Sequence, residues 1–127
     1  MKIRELTKAE EQIMQILWQL GHSFVNDIIA CLPEPKPAYN TVSTIVRILE
    51  KKGFVSHKVY GNTYEYFPLI SKAEYTEVYF KGFLKDYFSN SFTNLVSFFS
   101  QKDELDLNEM EEILKLLKKE IKTKKGA

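Results

Sequence analysis

With one cysteine, Cys31, the chain has too few for an internal disulfide framework or a multi-cysteine metal site. Its five glycines form no phosphate-cradling loop, no His-Glu-x-x-His pair occurs, and no histidine stands beside the cysteine. Catalysis is not expected, and neither is a cofactor. His22 and His57 are isolated, without the cluster of ligating side chains that a metal needs. Cys31, ahead of Leu32 and Pro33, reads as a small buried apolar residue rather than a redox sensor. No apolar run approaches the roughly 20 residues of a membrane span. The start, Met1 to Leu6, lacks the apolar stretch and cleavage site of a signal peptide. The expected setting is cytoplasmic.

Net charge is nearly absent too, at +1 over 127 residues, while 44% hydrophobic and 28% charged residues mark a globular chain. The balance is not local. Between Lys36 and Tyr60, five cations (Lys36, Arg47, Lys51, Lys52, Lys58) face one acid, Glu50. From Ser71 onward, ten cations and ten acids cancel. Positive potential is therefore concentrated in one segment, and local potential is what attracts phosphate.

That segment also has the most informative pattern. Val42, Ile45, Val46 and Leu49 recur at helical spacing and form one apolar stripe. Asn40, Ser43, Thr44, Arg47 and Lys51 fall opposite, with Glu50 only at the edge. Asn pairs bidentately with adenine, Arg with guanine, and Thr methyls pack on thymine methyls. A helix apolar behind and acid-free in front suits a DNA major groove, although an ordinary solvated face is the plain alternative. Tyr39 and Thr41 join the candidate DNA contacts, Tyr39 with an equal claim to packing at the helix start. Lys58, Tyr60 and Asn62 on the following hairpin are candidates for phosphate contact, or simply keep the hairpin soluble.

Around this helix the order is regular. Thr7-Lys8-Ala9-Glu10 is a capping box for a helix with Ile13, Met14, Ile16, Leu17 and Leu20 inward, ending at Gly21. Trp18 is read as core. His22-Ser23-Phe24 reads as an isolated strand, and Val25 to Leu32 as a second helix with Ile28, Ile29 and Leu32 inward. Pro33, Pro35 and Pro37 break it, and a third helix runs from about Ala38 to Lys52 before Gly53. Phe54 to Tyr60 and Thr63 to Phe67 read as strands joined by Gly61-Asn62. This is the order of a winged helix-turn-helix over residues 1–70, mainly α with a small β-hairpin wing.

Residues 71–127 read as a helical dimerisation domain. Ser71-Lys72-Ala73-Glu74 is a second capping box, opening a helix with Tyr75, Val78, Tyr79, Phe83, Leu84, Tyr87 and Phe88. Asn90 or Ser91 caps another, with Phe92, Leu95, Val96 and Phe99 on one side. After a third box at Asp106 to Glu109, the last helix sets Leu107, Met110, Leu114, Leu117 and Ile121 in a coiled-coil-like seam. Three short helices cannot bury so many aromatics alone. They pack on the first 70 residues or on a second copy, and two-fold operators favour the copy, through Tyr79, Phe83, Tyr87 and the seam.

Several segments match a known group. Leu6-Thr7-Lys8-Ala9-Glu10 with Ile16-Leu17-Trp18, Thr41-Val42-Ser43-Thr44-Ile45-Val46, Leu49-Glu50-Lys51-Lys52-Gly53-Phe54 and Tyr66-Phe67-Pro68-Leu69 carry the match, and Asn94-Leu95-Val96 to Leu105 extends it loosely. In these the chain resembles the penicillinase-repressor family of transcription factors, the BlaI, MecI and CopY group. The resemblance implies a cytoplasmic dimer that covers a double-stranded DNA operator and blocks transcription. It also implies release when a membrane metalloprotease receptor signals cleavage of an Asn-Phe bond, which lines up here with Phe98-Phe99 and lacks the Asn. The copper-responsive branch uses C-terminal cysteine pairs, which this chain does not have. Ala38-Tyr39-Asn40 replaces the family's Ser-Pro-Lys, and Ile48 replaces its Arg, with Arg47 one position earlier.

The residues also leave two other functions open. One is a winged-helix repressor released by a small hydrophobic effector held among the C-terminal aromatics. The other is a winged helix used for protein assembly without DNA, against which the acid-free face argues, because interface cores favour apolar anchors.

Overall fold

Thr7 opens the first helix, α1 (Lys8–Leu20), by accepting the Glu10 amide at 3.2 Å, while the Glu10 carboxylate accepts the Thr7 amide at 3.0 Å. The capping box expected there is formed. The structure, a computed structural model, describes residues 3–126; Met1 and Lys2, part of the start read above, and Ala127 lie outside it. Asp27 accepts the Phe24 amide at 2.9 Å and so starts α2 (Val25–Cys31). The proline-rich segment follows, and then α3 (Tyr39–Lys51). Gly53 has φ +85°, a conformation costly for any residue with a Cβ, and it turns the chain out of α3 into the hairpin.

The hairpin pairs β1 (Val55–Tyr60) with β2 (Thr63–Pro68), antiparallel, from Val55 opposite Pro68 to Tyr60 opposite Thr63. Its two-residue loop is Gly61-Asn62, with Gly61 at φ +58° in the position where the tight hairpin turn needs glycine. Ser23 adds an isolated bridge, its amide donating to Tyr66 at 2.9 Å and its carbonyl accepting from Tyr66 at 2.8 Å. Three helices, a short bridged segment and a hairpin form a winged helix, as expected.

Met14 and Leu17 of α1, Ile28 of α2, and Val42, Val46 and Leu49 of α3 meet Phe54 and Val55 in one core. Two apolar expectations fail. Leu20 is exposed, because it falls in the last turn of α1, beyond the inner row of Met14 and Leu17. Cys31 is also exposed, because at the end of α2 it is Leu32 that takes the inward place.

The chain divides into two compact units, Met1–Phe80 and Lys81–Ala127. The first unit extends ten residues past the boundary expected at residue 70, into α4 (Lys72–Phe88). Tyr75 is the reason. Its ring meets Phe54 edge-on at 5.6 Å, and its hydroxyl accepts the Leu6 amide at 3.0 Å. Trp18 helps by donating to the Ile70 carbonyl at 2.8 Å. Tyr75, expected on the helix that opens the second domain, belongs to the core of the first unit.

In the second unit, Ser89 and Asn90 take positive φ at the end of α4, and Ser91 caps α5 (Phe92–Gln101) by accepting the Asn94 amide at 3.1 Å. Asp106 accepts the Glu109 amide at 2.8 Å at the start of α6 (Leu107–Gly126). Phe83, Phe88, Phe98 and Phe99 form a chain of ring contacts. Burial is nonetheless slight: among the described residues of this unit only Leu84 is buried, and α5 and α6 have no buried residue.

Candidate nucleic-acid interface

The buried row of Val42, Val46 and Leu49 fixes the rotation of α3, so the opposite side must face outward. Asn40, Thr41, Thr44, Arg47 and Lys51 are exposed there, and Tyr39 is half-exposed at the first turn. Ser43 is only partly exposed, because it sits on the flank of the helix rather than at the centre of this face. Thr44 donates its hydroxyl to the Asn40 carbonyl at 2.8 Å. Arg47 donates through Nε to the Ser43 carbonyl at 3.4 Å, which leaves the outer guanidinium nitrogens for a ligand. No side chain caps the first turn, so its amides add donors of the kind that phosphates use.

Electrostatics sharpens the face by removing what does not belong to it. Glu50, the one acid in the segment, is turned aside and held by Nδ1 of His57 at 2.7 Å. Lys52 is drawn inward to the Glu10 carboxylate at 2.6 Å. Lys36 donates to the Ala30 carbonyl at 3.0 Å and also to Leu32, neutralising the carbonyl end of α2. Of the five cations counted in this segment, Lys52 is the one held inward; Lys36, Arg47, Lys51 and Lys58 are exposed, and of these Arg47 and Lys51 lie on the outward face of α3. Burial alone would raise the Glu10 carboxyl, but hydrogen bonds from Lys52 and Thr7 and the Lys52 charge hold it below the usual carboxylate range.

The hairpin pleat separates the wing residues. Ser56, Lys58 and Tyr60 share one face with Thr63, Glu65 and Phe67. That face turns toward the segment before α2, where Tyr60 meets Phe24 edge-on at 6.0 Å and His22 stacks on Phe67 at 5.2 Å. His57, Val59, Tyr64 and Tyr66 share the other face, the one joined to α3 through Glu50. Burial first, then the Glu50 charge, raises the Tyr66 phenol against a smaller lowering by Arg47. Asn62 lies exposed at the tip.

Three features of this site were missed in the sequence. Tyr64 is exposed on the α3 side of the hairpin, its ring 4.3 Å from His57; strand alternation with Tyr66 was the available signal. Ile48 is exposed on the outward face of α3. The Glu50–His57 and Glu10–Lys52 pairs span elements, and spacing along the chain carries no signal for them. Among the described residues, no group of three His, Cys, Asp or Glu is placed to hold a metal. No helix among them is long and apolar enough to cross a membrane.

Comparison with known proteins adds four findings. The sequence profile described as "Penicillinase repressor" matches residues 6–119. The methicillin resistance regulatory protein MecI of Staphylococcus aureus (strain N315) is 29% identical over 119 residues, covering 93% of this chain and 97% of that protein. The penicillinase repressor of Bacillus licheniformis is 27% identical over 125 residues, or 98% of each chain. The solution structure of the DNA-binding domain of the repressor BlaI is similar as well. It has a TM-score of 0.51 and 28% identity, covering 58% of this chain and 92% of that one.

Proposed function

The chain belongs to the penicillinase-repressor family of DNA-binding transcriptional repressors, and on that premise we propose how its residues carry that role. α3 enters the major groove with Asn40 and Arg47 toward base edges, Thr41 and Thr44 along one edge of the same face and Ser43 on its opposite flank. Lys51 and the first-turn amides beside Tyr39 hold phosphates. The wing adds Lys58, Tyr60 and Asn62 along the flanking backbone. The observation that carries this reading is the acid-free outward face of α3, with Glu50 engaged by His57 rather than facing the ligand. A carboxylate left on that face would repel phosphate and oppose binding.

The second part of the proposal is that a second copy covers the apolar residues after Ser71. Tyr87 is 73% exposed, Leu107 70% and Leu114 52%, and Leu117 and Ile121 are exposed beside them. Full burial of such a side chain contributes roughly 1.5–3 kcal/mol, and the half-exposed ones forgo about half of that. Tyr79, Phe83 and Met110 complete the contact. Two linked modules then address two half-sites of one operator, in the cytoplasm, without a cofactor. Release would follow from cleavage within α5 at or near Phe98-Phe99, triggered by a membrane protease system. The absence of buried residues in α5 supports this, because a helix so lightly held opens easily to an extended, cleavable form.

Binding measurements on operator and random duplexes test the reading of α3. Arg47→Ala is expected to weaken operator binding by about 1–3 kcal/mol and to spare the non-specific part. Lys58→Ala is expected to weaken both alike and to lower the salt slope by about one unit. Equal losses on both duplexes for Arg47→Ala would refute its base-reading role.

A further inference from the structure

Ile48 is 39% exposed and lies on the outward face of α3, not with Val42, Val46 and Leu49. On a helix facing solvent a lone isoleucine needs no explanation. On a face that enters a DNA groove it does, because most base-edge features there are hydrogen-bonding atoms that an alkyl group would leave unpaired. The one apolar feature of the major groove is the C5-methyl group of thymine.

The neighbours of Ile48 fit the same chemistry. Thr44 and Thr41 precede it by four and seven residues and so lie along one edge of the face. The Thr44 hydroxyl proton is committed to the Asn40 carbonyl, so its methyl is the group with no other engagement. Asn40, Arg47 and Lys51 occupy the other edge, where the hydrogen-bonding and charged groups lie. The outward face of α3 thus has a polar edge and a methyl edge.

We infer that Ile48, with the methyls of Thr44 and Thr41, forms an apolar strip that selects thymine by its 5-methyl group, making Ile48 a specificity-determining residue, granted that α3 is the reading helix proposed above. Asn40 and Arg47 select purines by hydrogen bonds. The Ile48 strip selects a pyrimidine by a methyl group, and cytosine and uracil both lack it.

The test uses the full chain and a duplex that it selects from a random library. Each thymine of that duplex is replaced singly by deoxyuridine, which removes one methyl and leaves base pairing intact. The wild-type chain is expected to lose about fourfold in affinity at one thymine per half-site, the worth of one buried methyl. Ile48→Ala is expected to lose most of this preference, keeping only the smaller part that the Thr44 and Thr41 methyls supply. A wild-type chain indifferent to every replacement overturns the inference, while its preference for the selected duplex keeps α3 as the reading helix. Equal losses for wild type and Ile48→Ala also overturn it, by assigning the methyl to another residue. Failure to select any sequence overturns the inference and the reading of α3 together.

Discussion

The two units of this chain solve the burial problem differently. The first surrounds Phe54 and Leu49 with three helices, a hairpin and the first turn of α4, and several of its side chains are fully buried. The second is rich in phenylalanine and leucine, yet α5 and α6 bury none of them. Apolar content alone therefore does not make a core; there must be elements on more than one side. The first unit supplies them from its own sequence. The second lines its apolar residues along open helices, a pattern suited to completion by an identical partner.

The largest expected effect falls on the second unit. Leu114→Glu places a carboxylate in the seam, and two-fold symmetry places it there twice. We expect dimerisation to weaken by roughly 5 kcal/mol or more, since each uncompensated buried ion costs several kcal/mol. Sedimentation should then show monomers whose first unit is still folded. An unchanged dimer would move the interface away from α6 and remove the contrast between the units.

Phe54→Ala is the complementary change. It empties a fully buried site that meets Tyr75 edge-on, and a loss of about 3–5 kcal/mol in the stability of the first unit is expected. Thermal unfolding should shift while the association of the second unit persists. Loss of both together would mean that the units unfold as one.

A smaller effect concerns the pair that ties α1 to the end of α3. Glu10→Gln removes the charge that holds Lys52, at an expected cost of about 1–3 kcal/mol near neutral pH. Because the folded carboxyl is held below its ordinary value of 4.5, this stabilisation is present above that value. It is lost as pH falls through the lower folded value. Denaturation of wild type and Glu10→Gln should therefore converge below pH 4.5. A gap that persists in acid would mean that the pair contributes nothing through charge.

Much of the first unit was legible because its signals are local. Capping boxes, the Gly53 and Gly61 positions, and the helical spacing of Val42, Val46 and Leu49 each act within a few residues. The outward face of α3 followed from the same spacing. What escaped was set by distant partners. Tyr75 looks from its neighbours like part of the aromatic run after Ser71, yet the Leu6 amide and Phe54 hold it in the first unit. Lys52 looks like one more phosphate-binding cation, yet Glu10, 42 residues earlier, removes it from the face. Leu20 and Cys31 sit at helix ends, where periodicity no longer tells which side is inward.

The central claim is that one acid-free helix face reads DNA and that the open second unit joins two such faces. A gel shift of the full chain and of a chain ending at Phe98, on one duplex selected by the full chain, tests it most directly. Circular dichroism of the shorter chain establishes that the first unit remains folded. Separated modules lose the gain from effective concentration, so the shorter chain should need about 10²–10⁴ times more protein to shift the duplex. A folded shorter chain that binds as tightly as the full chain would contradict the account.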